Sequence, residues 1–306
     1  LPRKNSGGMR RADPSRGLRY RGAILLGLLV GALVWGSPAE ATPKPERLSI
    51  WVTSPWLALM TRFLGGVYVE VHPLSGWNDR GQLVRFKRPP SGARIIALDR
   101  EEKGLFDLGN VPDARVRLLF SDMPYLRQEG KRNFLDPATM PFLGQEILKA
   151  LAAFDGDNYR YYQRRLAEFQ SRLESTVGVG RQLLSEVPLL NLSLELALWT
   201  AAAGKRHVTP SWDMVQAWGR GERMDVFERT LAEAQAGHMV VIYDNQMPPA
   251  VKNFLASSSS ALLIELPDVN QVDDLFLYLY DQYMAVWNFA RHGTAPWRSP
   301  GGQRHF

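Results

Sequence analysis

Between Tyr159 and Val187 the chain carries a helical period that leaves little choice of architecture. Apolar residues fall at Tyr159, Tyr162, Leu166, Phe169, Leu173, Val177 and Leu184, mostly in steps of three and four, with Arg160, Arg164, Arg165, Glu168, Arg172 and Glu174 on the other faces. One amphipathic helix follows. A DGDN turn precedes it, Asp157 is placed to cap it, and Pro188 forbids its continuation, so about 30 residues would span about 45 Å at the usual helical rise. A rod of that length can cross a whole molecule.

The segments on either side are built differently from the rod. Before it, Leu48 to Thr53, Val67 to Val71, Arg94 to Leu98 and Arg115 to Phe120 read as short strands. Ser54-Pro55 opens a helix that ends at Gly65-Gly66, Pro73 to Gly81 reads as a loop, and a helix runs from about Asp136-Pro137 to Phe154. After the rod, strands at 188–192, 206–209, 238–243 and 261–266 alternate with helices at 193–203, 211–219, 225–236, 248–258 and 271–291. Apolar strands separated by helices imply parallel sheets covered on both faces. The fold class expected is α/β, two Rossmann-like lobes with parallel sheets joined by one long backbone helix. The expected division is a first lobe at 47–156, the connecting helix at 157–187, a second lobe at 188–291 and a Gly/Pro/Arg-rich tail at 292–306.

The first 41 residues set the expected compartment. Arg16, Arg19 and Arg21 precede an apolar run from Ala23 to Trp35, and Ala39-Glu40-Ala41 has the small-x-small form of a cleavage site. This pattern predicts a cleaved secretory signal and periplasmic residence; the run is shorter than the roughly 20 apolar residues of a membrane span. Without residues 1–41 the 37 basic and 31 acidic residues fall to 30 and 29. The basic balance therefore belongs to the signal, and the mixed charges that remain offer no nucleic-acid face. There is no cysteine, which excludes disulfides, thiol catalysis, zinc-thiolate sites and a lipidated cysteine anchor.

The segment NFLDPATMPFLGQEILKALAAFDGDNYRYYQRRLAEFQSRL resembles the zinc and manganese solute-binding family of ABC importers, the helical-backbone metal receptors. That family carries His-x-Trp-Leu-Asp-Pro, a helix, Asp-Pro-x-Asn-x-x-x-Tyr and a long helix. Leu135, Asp136, Pro137, Asp155, Asn158, Tyr162, Phe169 and Leu173 keep the pattern. RLSIWVTSPWLALMTRFLGGVYVEVHPLSG and VVIYDNQMPPAVKNFLASSSSALLIELP extend the likeness over nearly all of the chain beyond the signal.

The resemblance implies a metal held between two lobes by three histidines and a carboxylate, one from each of four loops. Carried over residue by residue, no histidine is retained. The first position falls at Asn78, Asp79 or Arg80, the second at Asn133, the third most nearly at Asn191, and the acidic fourth at Asp268. If Asp79 faces the cleft, then Asp79, Asn133, Asn191 and Asp268 form an oxygen cage suited to a hard divalent ion such as manganese. If Arg80 does, the cleft favours an anion or a metal chelate. Zinc held by some other set is a third possibility.

Other candidates weigh less. His72, His207 and His238 flank strands and read as sheet-end residues. Trp51, Trp56, Trp199, Trp212 and Trp218 read as packing, whereas Trp77 sits in a loop that should face the cleft. Asp244 ends a strand where α/β sheets bind ligands, with a helix-cap reading of equal standing.

No Gly-x-Ser-x-Gly, phosphate loop or His-Glu-x-x-His occurs, so an enzyme is not expected. The function implied is capture of a metal ion, manganese or zinc, or a metal chelate, by a monomer that delivers it to an inner-membrane ABC permease. The alternative is a metal-blind paralogue acting as an accessory or protein-interaction component.

Overall fold

The computed structural model describes residues 47–78, 82–86, 88–121, 127–128, 131–132, 134–266, 272 and 274–293. The expected signal segment lies outside the described residues, as does the expected tail beyond Gly293. The first lobe runs through β1 (Leu48–Val52), α1 (Pro55–Gly65), β2 (Val69–Pro73), β3 (Ser75–Trp77), β4 (Leu83–Arg85), β5 (Arg94–Asp99), α2 (Arg100–Leu105), β6 (Val116–Phe120), β7 (Arg127–Gln128), β8 (Lys131–Arg132) and α3 (Met140–Phe154). The long helix α4 (Tyr159–Leu184) follows. The second lobe comprises β9 (Leu189–Asn191), α5 (Ala197–Ala203), β10 (His207–Val208), α6 (Trp212–Gly219), α7 (Met224–Ala236), β11 (Val240–Asp244), α8 (Pro249–Ala256), β12 (Ala261–Ile264) and α9 (Leu275–His292).

Each lobe holds one four-stranded parallel sheet, in the orders β2-β1-β5-β6 and β10-β9-β11-β12. Both orders place the first strand between the second and the third. In such a sheet the chain direction of the crossovers reverses between the first and third strands, and a crevice opens there at the carboxyl ends. The two crevices lie after Val52 and Ile96 in one lobe and after Asn191 and Ile242 in the other, residues paired in register.

The helix α4 buries the stripe its period predicts. Tyr162, Leu166, Phe169, Leu173, Val177 and Leu184 are all buried, and only Tyr159, in the first turn, is exposed. Its start differs from expectation. Asn158, not Asp157, stands at the N-cap without a side-chain cap bond. The anchoring carboxylate is Asp155, which accepts from Asn158 Nδ2 at 2.9 Å and from the Tyr162 hydroxyl at 2.6 Å. Three residues of the recognised pattern thus serve one local purpose, fixing how α4 leaves α3.

Phe63 of α1, Phe169 of α4 and Phe276 of α9 meet edge to face with ring centroids 5.0 to 5.6 Å apart. Arg165 lies over the Phe63 ring at 4.2 Å and donates to the Phe63 carbonyl. The cluster joins the first lobe, the rod and the last helix of the second lobe. It belongs to a core that runs without a break from Ile50 and Ile96 through Leu173 to Leu189 and Ile242.

Two hairpins, β3–β4 and β7–β8, and the short helix α2 depart from the sequence reading. Ser75–Trp77, expected as loop, pairs antiparallel with Leu83–Arg85. Its pairing is specified across the strands, where Gly76 lies under the Phe86 ring and Phe86 N–H donates to Leu74 O at 2.8 Å. The six-residue α2 has too few residues for a period, and it is set by Asp99, whose carboxylate accepts from the Glu102 N–H at 2.9 Å.

Candidate functional site

Each switch-point crevice is closed by a hydroxyl donating to a buried carboxylate. In the first lobe Thr53, the residue after β1, donates from Oγ1 to Glu102 Oε2, which also accepts from the Leu98 N–H at 2.8 Å. Ser75 Oγ donates to the Thr53 carbonyl at 2.5 Å and ties the β3–β4 hairpin to the same point. In the second lobe Ser193 Oγ donates to Asp244 Oδ2 at 2.6 Å, and Asp244 Oδ1 accepts from the Gln246 N–H at 2.8 Å. Asp244 therefore holds the turn after β11 and lines the cavity there, whereas the N-cap of α8 is Pro248 with no side-chain cap bond, so Asp244 is not the helix cap.

Asn191 belongs to this second network. Its side chain is fully buried, with Nδ2 donating to Thr200 Oγ1 at 2.7 Å and Oδ1 accepting from the Ser193 N–H at 2.8 Å. To hold an ion, Oδ1 would have to coordinate it while still accepting from the Ser193 N–H, or give that hydrogen bond up. Asn78 closes the β3–β4 hairpin, where Oδ1 accepts from the Gln82 N–H at 2.9 Å and Nδ2 donates to Gln82 Oε1 at 3.2 Å. Asp79, Arg80, Asn133 and Asp268 lie outside the described residues. Among the described residues no three of His, Cys, Asp or Glu gather into a metal-holding group.

The crevice of the second lobe opens onto a cavity of about 370 Å³. It is lined by Trp77 and Leu83 of the hairpin and by Leu194, Trp212, Asp244 and Gln246 of the second lobe. Trp77 is thus one of the residues that line this cavity. Its indole Nε1 and the Gln246 Nε2 are sealed from solvent without a hydrogen-bond partner. Trp56, Trp199 and Trp218 are core residues, each at most 1 % exposed.

Behind the cavity the lobes touch through Trp56, whose Nε1 donates to Glu195 Oε2 at 3.1 Å and whose ring lies 6.1 Å from that of Tyr278. The Tyr278 phenol is pushed well above its usual range, first by burial and then by the negative charges of Asp244, Glu195 and Glu265. It stays protonated and donates to the Glu265 carbonyl at 3.1 Å.

Ser193, Thr53 and Glu102 carry no motif, and spacing alone does not single them out. The three histidines at strand ends are structural neighbours: His72 stacks on Trp51 at 4.8 Å, His207 Nδ1 sits 3.2 Å from the Gly204 carbonyl, and His238 takes a positive φ of 50° before β11.

No protein-family model and no curated protein matches the chain. Solved structures do match in fold. ZnuA superposes with a TM-score of 0.57 at 18 % identity, covering 81 % of this chain and 100 % of that one. A manganese-bound periplasmic metal-binding protein from Candidatus Liberibacter asiaticus gives 0.55 at 11 % identity, covering 80 % and 100 %. The laminin-binding protein Lmb of Streptococcus agalactiae, with adhesin and metal-transporting activity, gives 0.54 at 14 % identity over the same shares. Two parallel sheets of like order, a 26-residue helix between them and this end-to-end superposition identify the chain as having the fold of the ZnuA-type metal-binding solute receptors.

Proposed function

We propose that this protein is the solute-binding component of a metal-type ABC importer, exported to the periplasm, that captures its ligand between the lobes and presents it to an inner-membrane permease. The observation that carries the reading is the cavity at the carboxyl ends of the second sheet, walled by both lobes, in a chain with this fold. The work is capture, not chemistry. A stiff connecting helix and a continuous core permit a limited tilt, and the liganded tilt is what a permease would recognise. The cargo under this reading is a divalent ion or a metal chelate, with Asp79, Asn133, Asn191 and Asp268 as the proposed oxygen set for a bare ion and Arg80 as the group that would favour a chelate.

A second reading has one observation in its favour. Both amide atoms of Asn191 already have protein partners, as they would in a metal-blind paralogue that acts as an accessory or binds a protein.

Elemental analysis of protein purified without chelator, joined to thermal midpoints with manganese, zinc, calcium and metal chelates, separates the two. A ligand that binds only the folded state raises the midpoint by mass action. A stoichiometric metal or a saturable rise supports capture. A metal-free protein with an unmoved midpoint and a co-purifying envelope partner supports the accessory role.

A further inference from the structure

A second cavity, of about 320 Å³, lies at the amino ends of β9 and β11, the far end of these strands from the cleft. Its volume is in the range of small-ligand sites. The link from α4 to β9 and the last turns of α9 line it together with His238 and Val240. Glu186 and Arg291 are both exposed and both line it. They do not pair with each other, and neither joins an ion pair among the described residues. A free anion there is repelled by Glu186 and a free cation by Arg291, whereas a molecule that carries both charges can satisfy both.

The helices add to this division of charge. Arg172 pairs with Asp274, and further along Gly180 lies against Tyr283, so α4 and α9 run parallel and end together at this cavity. The carboxyl ends of two helices bring partial negative charge, which favours an ammonium group. The Arg291 guanidinium lies over the Trp287 ring, 4.8 Å from its centroid. Stacking of that kind occupies the flat face of the guanidinium and leaves its edge donors for a carboxylate.

His238 is the least expected residue of the lining. It follows α7 with a φ of 50°, a conformation that a residue with a Cβ holds at a cost and that glycine adopts freely. Gly237 stands one position earlier, at an ordinary φ of −81°. The chain thus spends its glycine where none is needed and puts an exposed imidazole where glycine would be easier, beside Arg291 in the same cavity. Half-buried Leu183, Val187 and Trp287 supply apolar surface.

We propose that this cavity binds a small zwitterion with an apolar side chain, the chemistry of a free hydrophobic α-amino acid. Its carboxylate accepts from Arg291 and His238, its ammonium group donates to Glu186, and its side chain lies against Leu183, Val187 and Trp287. The site shares no lining residue with the cavity of the cleft, so its failure leaves the capture reading as it stands.

The test uses the full chain with ¹⁵N-labelled indoles, the Trp287 resonance being assigned by its loss in Trp287→Phe. The probes are leucine, phenylalanine, 4-methylpentanoate, which lacks the ammonium group, and 3-methylbutylamine, which lacks the carboxylate. The expected result is a saturable shift of the Trp287 resonance with leucine or phenylalanine, and binding about tenfold weaker or worse with each of the other two. Glu186→Gln and Arg291→Gln remove exposed, unpaired charges and should each weaken amino-acid binding about tenfold while the other indole resonances stay in place. His238→Gly should weaken it too, with a thermal midpoint no lower than that of the parent, since the left-handed backbone is then free of strain. Equal binding of the carboxylate alone or of the amine alone overturns the zwitterion proposal, as does unchanged affinity in Glu186→Gln or Arg291→Gln. No saturable shift of Trp287 with either amino acid up to about 10 mM overturns the site itself.

Discussion

Ser193 Oγ donates to Asp244 Oδ2 across 2.6 Å, and so joins the ends of neighbouring strands from positions 51 residues apart. Both groups are buried, at 0 % and 2 % exposure. A hydrogen bond to a buried carboxylate contributes about 1.5–3 kcal/mol, and deleting the donor leaves the charge short of solvation. Ser193→Ala is therefore expected to lower unfolding stability by about that amount, with Ser193→Thr recovering most of it. Equilibrium urea unfolding measures both. A Ser193→Ala protein as stable as the parent would mean that the crevice rearranges to supply another donor.

Alkaline pH tests a different set of buried groups. The phenols of Tyr162, Tyr278 and Tyr283 are all raised above the ordinary value of 10.0, in each case chiefly by burial, and at Tyr162 also by the hydrogen bond to Asp155. A folded-state value above the unfolded one gives stability that is complete below pH 10.0 and is lost as pH rises beyond it. The expected outcome is a phenolate absorbance that rises in two stages, the exposed tyrosines first and the buried ones together with loss of helix. Tyr162→Phe should lower stability at neutral pH by about 1 kcal/mol and flatten the alkaline decline. Phenolate absorbance that tracks a simple titration near pH 10.0, with the helical signal intact, would contradict this account.

These groups also show where sequence reading reached its limit. The helix α4 was legible because its period repeats over 26 residues, and the stripe from Tyr162 to Leu184 is buried as expected. Two parallel sheets were legible from apolar strands separated by helices. The hairpin at Trp77 was not, because three residues with a glycine carry no period and their pairing depends on Phe86 and Leu83 across the turn. Asn191 was placed correctly at the end of β9, yet a strand-end amide can turn to the cleft or to the sheet, and here Thr200 and the Ser193 amide engage it. Ser193 and Asp244 were not legible as a pair, since hydrogen bonds between strands far apart in the chain leave no spacing to read.

The core bears on cooperativity. Phe169 touches Phe63 of the first lobe and Phe276 at the start of α9, inside a hydrophobic cluster that includes strands of both sheets. A shared core implies that the lobes unfold together, in one transition whose midpoint agrees between fluorescence and far-ultraviolet dichroism. Phe169→Ala should lower stability by about 3–5 kcal/mol and shift both signals equally. Two separated transitions, only one of them moved by the substitution, would show that the lobes melt independently.

The seam between α4 and α9 offers a paired test on two glycines of one helix. At Gly180 an added Cβ would fall well inside van der Waals contact with the Tyr283 ring, whereas at Gly178 it would meet nothing within 4 Å. Tyr283 has little room to retreat, because its ring stacks on Trp199 at 5.0 Å and its hydroxyl donates to the Trp199 carbonyl at 3.1 Å. Alanine in place of glycine gains about 1 kcal/mol in a helix interior. Overpacking a tight contact costs about 1–3 kcal/mol, so the two terms oppose each other at Gly180 and only the first acts at Gly178. Gly178→Ala is expected to raise the thermal midpoint, and Gly180→Ala to lower it. If both substitutions stabilised the protein equally, α9 would not be seated against α4 through Tyr283, and the contact that fixes the second lobe on the rod would have to lie elsewhere.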